Sequence, residues 1–312
     1  MDLQINQKFV DEIRSRLKPE HFLLHEPMKE HTTFRIGGPA DYLIFPTSME
    51  DMAFIVRCLK KHDVPSVILG NGSNVLVLDK GIRGAVIKFN SPLSAIARSG
   101  NTLTVGAGAL LRDVSRFAAE SSLSGMEFAC GIPGSIGGAV FMNAGAYDGE
   151  MKNIVSAVRA ISPAGEVVHF SAEELGFGYR HSIFQENGCA ICEVELTLAP
   201  GKAAEIEEKI AGFTERRESK QPLEMPSAGS TFKRPEGYYA GTLIEQTGLK
   251  GFTVGGAQIS EKHAGFVVNT GNATAKDVLT LIREVQERVF AKNGVRLFPE
   301  VRILGEGAEQ EG

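Results

Sequence analysis

ACGIPGSIGGAVFMNAGAY, Ala129 to Tyr147, carries glycine at 131, 134, 137, 138 and 145, a proline at 133 and no charged side chain. Each glycine costs about 1 kcal/mol relative to alanine in a helix interior, so the run reads as tightly folded backbone rather than as a helix. Glycine lets main-chain N–H groups approach a ligand with no Cβ in the way, and it reaches positive φ without strain. Two readings follow from composition. One is a tight turn inside a β-rich core, and the other is a cradle for a large, flat or phosphorylated ligand.

A second glycine loop upstream favours the cradle. The run Ser66 to Leu69 reads as a short buried strand, and it leads into Gly70-Asn71-Gly72-Ser73-Asn74. A G-x-G after a strand invites the dinucleotide fingerprint G-x-G-x-x-G, but Val75 holds the third glycine position and VLVLD continues as strand. The Rossmann reading fails on both counts. No G-x-x-x-x-G-K-[ST] occurs, which disfavours a P-loop hydrolase. What remains is strand, glycine loop, strand, whose successive N–H groups form a nest for a pyrophosphate. With the 129–147 run, it points to a long dinucleotide lying across β structure.

The chain has 312 residues, 43% hydrophobic and 23% charged, enough for two or three globular domains. Its formal net charge of −5 gives no global positive field for nucleic acid or an anionic membrane, so anionic ligands must be met locally. MDLQINQKFV lacks the basic start and apolar middle of a signal peptide, and no apolar run approaches the roughly 18 residues of a membrane helix. A cytoplasmic location is the default expectation. Cys189 and Cys192 form a C-x-x-C inside the alternating, strand-like CAICEVELTL. Residues three apart on a strand face opposite ways, so the pair reads as structural thiols, with no metal expected.

The remaining elements follow from periodicity and caps. Helices are expected over residues 3–17, 50–62, 110–122, 240–247 and 275–292, the last with Thr274 as N-cap, Asp277 as its reciprocal partner and Asn293-Gly294 as its stop. A charged helix is expected from Lys202, with Ile206, Ile210 and Phe213 inward, up to Pro222. Strands are expected over residues 42–45, 81–89, 103–108, 252–260, 265–269 and 295–304. A hairpin is expected from 154–161 and 166–170 around Pro163-Ala164-Gly165. Arg180 lies among aromatic residues in FGYRHSIF, a setting that commonly means a cation–π contact. Ser230 reads as part of a polar loop opening onto Lys233 and Arg234. Glu300, between Pro299 and Val301, is either a strand-edge charge or a buried carboxylate.

Six motifs in this order, TTFRIGG, LGNGSNVL, GIPGSIGGAVFMNAGAY, GYRHSIF, AGSTFKRP and PEVRILG, resemble those of the bacterial UDP-N-acetylenolpyruvoylglucosamine reductase family. The resemblance runs from about Thr32 to Gly305. It implies an α+β chain: a two-subdomain FAD-binding fold of the vanillyl-alcohol oxidase (PCMH) type, followed by an α+β substrate-binding domain. The corresponding division is 1–90, 91–201 and 202–305, with a polar tail at 306–312. The run between Arg180 and Ser230 is too short for the tyrosine-bearing insertion of the family's longer branch, so this chain resembles the shorter one.

The resemblance implies FAD as cofactor and NADPH as reductant in peptidoglycan precursor synthesis, acting as a cytoplasmic monomer with no nucleic acid or membrane partner. It places Arg180, Ser230 and Glu300 in catalysis. Hydride would pass by way of flavin N5 to the β-carbon of the enolpyruvyl ether, Arg180 and a protonated Glu300 would stabilise the enolate, and Ser230 would protonate the α-carbon. Cofactor-binding candidates are Arg35, Gly70, Asn71, Gly72, Ser73, Asn74, Gly131, Pro133, Gly134, Ser135, Gly137, Gly138, Asn143 and Gly145. Tyr147, Lys220, Lys233, Arg234 and Lys262 are candidates for gripping the UDP moiety. Two rivals share part of this pattern. An FAD oxidase would need no serine donor, and a non-catalytic nucleotide-sugar binding module would be colourless.

Overall fold

The computed structural model describes residues 5–89 and 91–308. The chain forms two compact units, one of Met1–Leu24, Tyr42–Asn71 and Gly84–Arg217, the other of His25–Asp41, Gly72–Arg83 and Glu218–Gly312. The units interleave in sequence, unlike the consecutive division expected near residues 90 and 201. The cause lies in the hydrogen bonds of the two short N-terminal segments. Thr33 Oγ1 donates to Ser227 O at 2.7 Å, and Arg302 N–H donates to Asn74 O at 3.0 Å, which ties both segments to the C-terminal part.

In the first unit, helix α1 (Gln7–Arg14) buries Phe9, Val10 and Ile13, as the spacing predicts, and Asn6 Oδ1 caps it by accepting from Phe9 N–H. Leu3, the start of the predicted span, lies outside the described residues. Helix α2 (Met49–Lys61) is capped by Ser48. Glu12 of α1 reaches it, accepting from Lys61 Nζ at 2.9 Å and pairing with His62 Nε2 at 2.7 Å. Those bonds, the Lys61 one foremost, hold the Glu12 carboxyl down at about 2.

The main sheet of this unit is antiparallel and five-stranded, in the order Val167–Ser171, Val155–Ile161, Ala190–Thr197, Thr102–Gly106, Ile96–Ser99. Ile96–Ser99 was not foreseen: it is an exposed edge strand with one apolar residue of any size, so it has no alternation to read. Cys189 falls just before the third of these strands. Burial pushes the Cys192 thiol up to about 12, far from the reactive range. Ser66–Leu69 pairs in parallel with Gly84 to Lys88, from Ser66 opposite Ala85 to Leu69 opposite Lys88. Helix α3 (Leu111–Glu120) packs Leu111, Val114 and Ala118 into the same core.

Helix α4 (Ile136–Phe141) corrects the expectation for the glycine-rich run, which holds a short helix after all. A Cβ on Gly137 would meet Ala107 Cβ at 2.9 Å. Close packing of bare backbone on the Ala107 segment thus compensates for the low helix propensity. Helix α5 (Ala203–Lys220) buries only Ile206 fully, while Ile210 and Phe213 are half-buried.

In the second unit, the sheet runs Ser227–Ser230, Phe266–Asn269, Ala257–Ile259, Thr253–Val254. Helices α6 (Ala240–Gln246) and α7 (Ala275–Asn293) share its core with Val267, Ile259 and Ile244. The predicted strand 252–260 is instead a hairpin. Gly255 turns it at φ +54, and at Gly256 a Cβ would strike Ala273 N at 2.4 Å. The predicted 295–304 strand shrinks to Arg302–Leu304, parallel to Val75–Val77, because Pro299 has no N–H to give a ladder and makes only a single bridge with Phe232. Ser230 ends a strand rather than lying in a loop. Among the described residues no helix is long and apolar enough to cross a membrane.

The predicted capping box of α7 forms, with Thr274 and Asp277 bonded reciprocally and Gly294 closing the helix at φ +69. Asp79 adds to it, its two oxygens accepting from Ala275 N–H at 2.8 Å and Lys276 N–H at 3.0 Å. Replacing Asp79 by alanine strands two helix-terminal donors and should destabilise the protein by about 1–2 kcal/mol, read as a lower urea midpoint. An unchanged midpoint would show that the cap contributes nothing. For Glu12 the folded pKa of about 2 lies below its ordinary 4.5, so its stabilisation is complete above pH 4.5 and is lost as pH falls toward 2. Glu12→Gln should therefore flatten the acid limb of thermal midpoint against pH, and parallel limbs in the two proteins would contradict the assignment.

Candidate active site

The chemistry-bearing residues fall into two groups, one in each unit. In the first unit the end of strand Ser66–Leu69 approaches the start of α4 so closely that a Cβ on Gly70 would lie 2.5 Å from Ser135 Oγ. Asn71 Nδ2 donates to Pro133 O at 2.6 Å, which joins the two glycine loops directly. Ser135 is 2% exposed, and its hydroxyl is buried with no hydrogen-bond partner among the described residues. A buried, unsatisfied hydroxyl costs about 1–3 kcal/mol, so it points to a polar partner that binds there. Gly138 faces the same space, where an added Cβ would meet only Ser135 Oγ at 3.5 Å. An open, Cβ-free face beside an orphan hydroxyl fits an extended polar cofactor.

Other residues expected to hold the cofactor are also engaged within the protein. A Cβ on Gly131 would meet the Arg217 stem at 2.6 Å, and one on Gly145 would meet Gly149 O at 2.6 Å. Gly134 O accepts from Leu111 N–H at 3.0 Å. Asn143, 1% exposed and at φ +42, donates from Nδ2 to Glu150 Oε2 at 2.8 Å and to Gly178 O at 2.9 Å. Its Oδ1 accepts from Lys152 N–H at 3.0 Å, so its amide hydrogens are committed within the protein rather than to a ligand. Tyr147 closes the hairpin of Gly145-Ala146 with Gly149-Glu150. Its ring stacks on Phe213 with centroids 4.3 Å apart, and its hydroxyl donates to Phe213 O at 3.1 Å.

Arg180 occupies a two-residue turn between Gly178 and His181, with its guanidinium 5.4 Å from the Tyr179 ring centroid. Its φ of +54 costs about 1–2 kcal/mol for a residue with a side chain. Arg217 was passed over in the sequence because ERRESK reads as a solvated helix end. Its Nε is buried with no partner among the described residues, and burial pulls its pKa below the usual guanidinium value. Only the two helical turns separating it from Ile210, weakly apolar as they are, hint that it faces inward.

In the second unit, four separated segments share one backbone network. Thr33 N–H donates to Gly72 O at 3.1 Å, and Asn74 Nδ2 donates to Glu300 O at 3.4 Å. Glu300 N–H donates to Thr231 O at 2.8 Å, so the segments carrying Ser230 and Glu300 lie side by side. Gly229, at φ +74, keeps the approach to Ser73 open, its nearest neighbour for a Cβ being Ser73 O at 4.0 Å. Asn269 Nδ2 donates to Phe34 O at 3.1 Å and to Arg35 O at 3.4 Å, fixing Arg35 in its left-handed conformation of φ +54. Ser230 is exposed and Glu300 half-buried. Of the cationic candidates, Arg234 lies over the Tyr239 ring at 4.1 Å and Lys262 pairs loosely with Glu224 at 3.8 Å, whereas Lys220 and Lys233 are exposed.

Comparison with known proteins shows the family. Residues 221–304 match the model of the UDP-N-acetylenolpyruvoylglucosamine reductase C-terminal domain, and residues 40–171 match an FAD binding domain. The UDP-N-acetylenolpyruvoylglucosamine reductase of Clostridium perfringens (strain 13 / Type A) is 54% identical over 286 residues, 92% of this chain and 94% of the relative. That of Clostridium kluyveri (strain NBRC 12016) is 49% identical over 300 residues, 96% and 98% of the two chains. Among solved structures, the reductase from Thermus caldophilus is 39% identical with a TM-score of 0.79, covering 91% of this chain and 98% of that one. An alkyldihydroxyacetonephosphate synthase, 15% identical with a TM-score of 0.51 over 64% of this chain and 40% of its own, shares the fold alone. The chain belongs to the UDP-N-acetylenolpyruvoylglucosamine reductase family, FAD-dependent oxidoreductases of peptidoglycan precursor synthesis.

Proposed function

We propose that this protein reduces the enolpyruvyl ether of UDP-N-acetylglucosamine-enolpyruvate to UDP-N-acetylmuramate in the cytoplasm, with NADPH as reductant and Arg180, Ser230 and Glu300 acting on the substrate. The observation that carries the residue assignment is the Glu300 N–H to Thr231 O bond, which sets the serine and glutamate segments side by side. The cofactor residues are the backbone of Gly70 to Asn74 and Pro133 to Gly138, with Ser135 Oγ as a side-chain donor.

FAD, when bound, would supply the two-electron chemistry between NADPH and the enol ether, whose β-carbon is the hydride acceptor. Negative charge then develops on the substrate's α-carbon and carboxylate. The Arg180 guanidinium stabilises that charge, a role typically worth about 10²- to 10³-fold in rate. Ser230 Oγ gives its proton to the α-carbon, a transfer made feasible by the basicity of the carbanion it faces. Glu300, held through its own backbone at that strand, supplies a second hydrogen bond to the developing enolate. Lys220, Lys233, Arg234, Lys262 and Tyr147 are the proposed contacts for the UDP moiety, and the protein acts as a monomer.

Ser230→Ala should leave bleaching of the flavin by NADPH intact while slowing its reoxidation by the enolpyruvyl sugar severely, measured by stopped-flow absorbance. Equal loss in both halves would remove Ser230 from the proton-transfer role. The cofactor face has its own test in Gly138→Ala. The added methyl has room in the chain and gains about 1 kcal/mol of helix propensity, so the apoprotein should keep or raise its melting temperature while flavin affinity falls. Undiminished flavin binding would place the cofactor elsewhere.

A further inference from the structure

Two side chains with no assigned chemical role converge on the turn that carries Arg180. We propose that Gln185 and Asn143 are positioning residues for Arg180, fixing the carbonyls at Gly178 and Arg180 and thereby the direction of its side chain. The inference rests on the reading that Arg180 acts on the substrate.

The turn by itself is weakly held. Its own bonds are Gly178 N–H to His181 O at 3.1 Å and His181 N–H to Gly178 O at 3.3 Å, and Arg180 sits between them in the left-handed region. A residue with a side chain keeps such a conformation only where its surroundings over-determine it. Asn143 Nδ2 donates to Gly178 O at 2.9 Å, and Gln185 Nε2 donates to Arg180 O at 2.9 Å. Both clamps have anchors at the end of α4. Gln185 Nε2 also donates to Phe141 O at 3.0 Å, which accepts in addition from Ser182 Oγ at 2.8 Å.

Asn143 is itself fixed by Glu150 and by the Lys152 N–H, so it cannot swing away. With the Gly178–Tyr179 and Arg180–His181 peptides both tied, the turn that carries Arg180 is held to the segment at the end of α4. Tyr179, on the other side of the turn, is 60% exposed and offers the guanidinium a ring face. The glycine-rich run would thus have a second task besides facing the cofactor, which is to orient the arginine.

The test uses the FAD-loaded enzyme with Gln185→Leu, which removes both donors and keeps the bulk, and Gln185→Met as a second variant of matched chain length. Reoxidation of the flavin by the enolpyruvyl sugar should fall by up to about 100-fold, the loss typical of a reacting group displaced by about 1 Å. Flavin content, melting temperature and the rate of reduction by NADPH should stay close to wild type. In an Arg180→Ala background the same Gln185 substitution should have no further effect, since its whole influence passes through the arginine. The proposal is overturned if the Gln185 effect persists undiminished in that background, if reoxidation is unaffected, or if both half-reactions and flavin content fall together. Should Arg180→Ala alone leave reoxidation intact, it is the assignment of Arg180 that fails.

Discussion

The first unit depends on one close approach, the bare Cα of Gly70 against the Ser135 hydroxyl, where a methyl group would lie 2.5 Å from oxygen. A methyl group there would force the hydroxyl to another rotamer, and the next neighbour, Gly138 Cα, would lie 3.6 Å away. The Asn71 bond to Pro133 O fixes the second point of the same contact. Two loops more than sixty positions apart are thereby fused into one surface of exposed main chain. The start of α4 and, through Phe141 at its other end, the arginine turn are both referred to that contact.

Polar accounting separates the residues that face a ligand from those that hold the frame. Asn143 commits its amide to Glu150, Gly178 and Lys152. Ser135 Oγ and Arg217 Nε, by contrast, are buried without partners among the described residues. A buried polar atom left unpaired is destabilising, and in a native protein it calls for an explanation. Ser135 Oγ is the side-chain donor proposed above for the flavin. Gly131 makes the room that Arg217 needs, so one glycine of the motif is there for a side chain of the protein itself.

Much of this was legible from local chemistry. Thr274, Asp277 and Gly294 gave both ends of α7, and the failed dinucleotide fingerprint at Val75 correctly left strand on both sides of the first loop. Short α4 was hidden because its stability comes from packing on Ala107, a contact no propensity reveals. The hairpin at Gly255 was hidden by the β-like residues around it, and the edge strand Ile96–Ser99 by its polar composition. In the candidate site, the motifs identified Arg180, Ser230 and Glu300 by resemblance. Only backbone geometry places Glu300 beside Thr231, and only its hydrogen bonds show how Asn143 is engaged within the protein. Gln185 has no local signal at all, since its meaning lies in two carbonyls, one on each of two different segments.

The most direct measurement of the central claim is an anaerobic absorption spectrum of the purified protein, taken as isolated, after NADPH, and again after UDP-N-acetylglucosamine-enolpyruvate. The account predicts flavin bands that NADPH bleaches and the enolpyruvyl sugar restores, with one equivalent of UDP-N-acetylmuramate formed per flavin reoxidised. A colourless protein, or a bleached flavin that only oxygen restores, would contradict it.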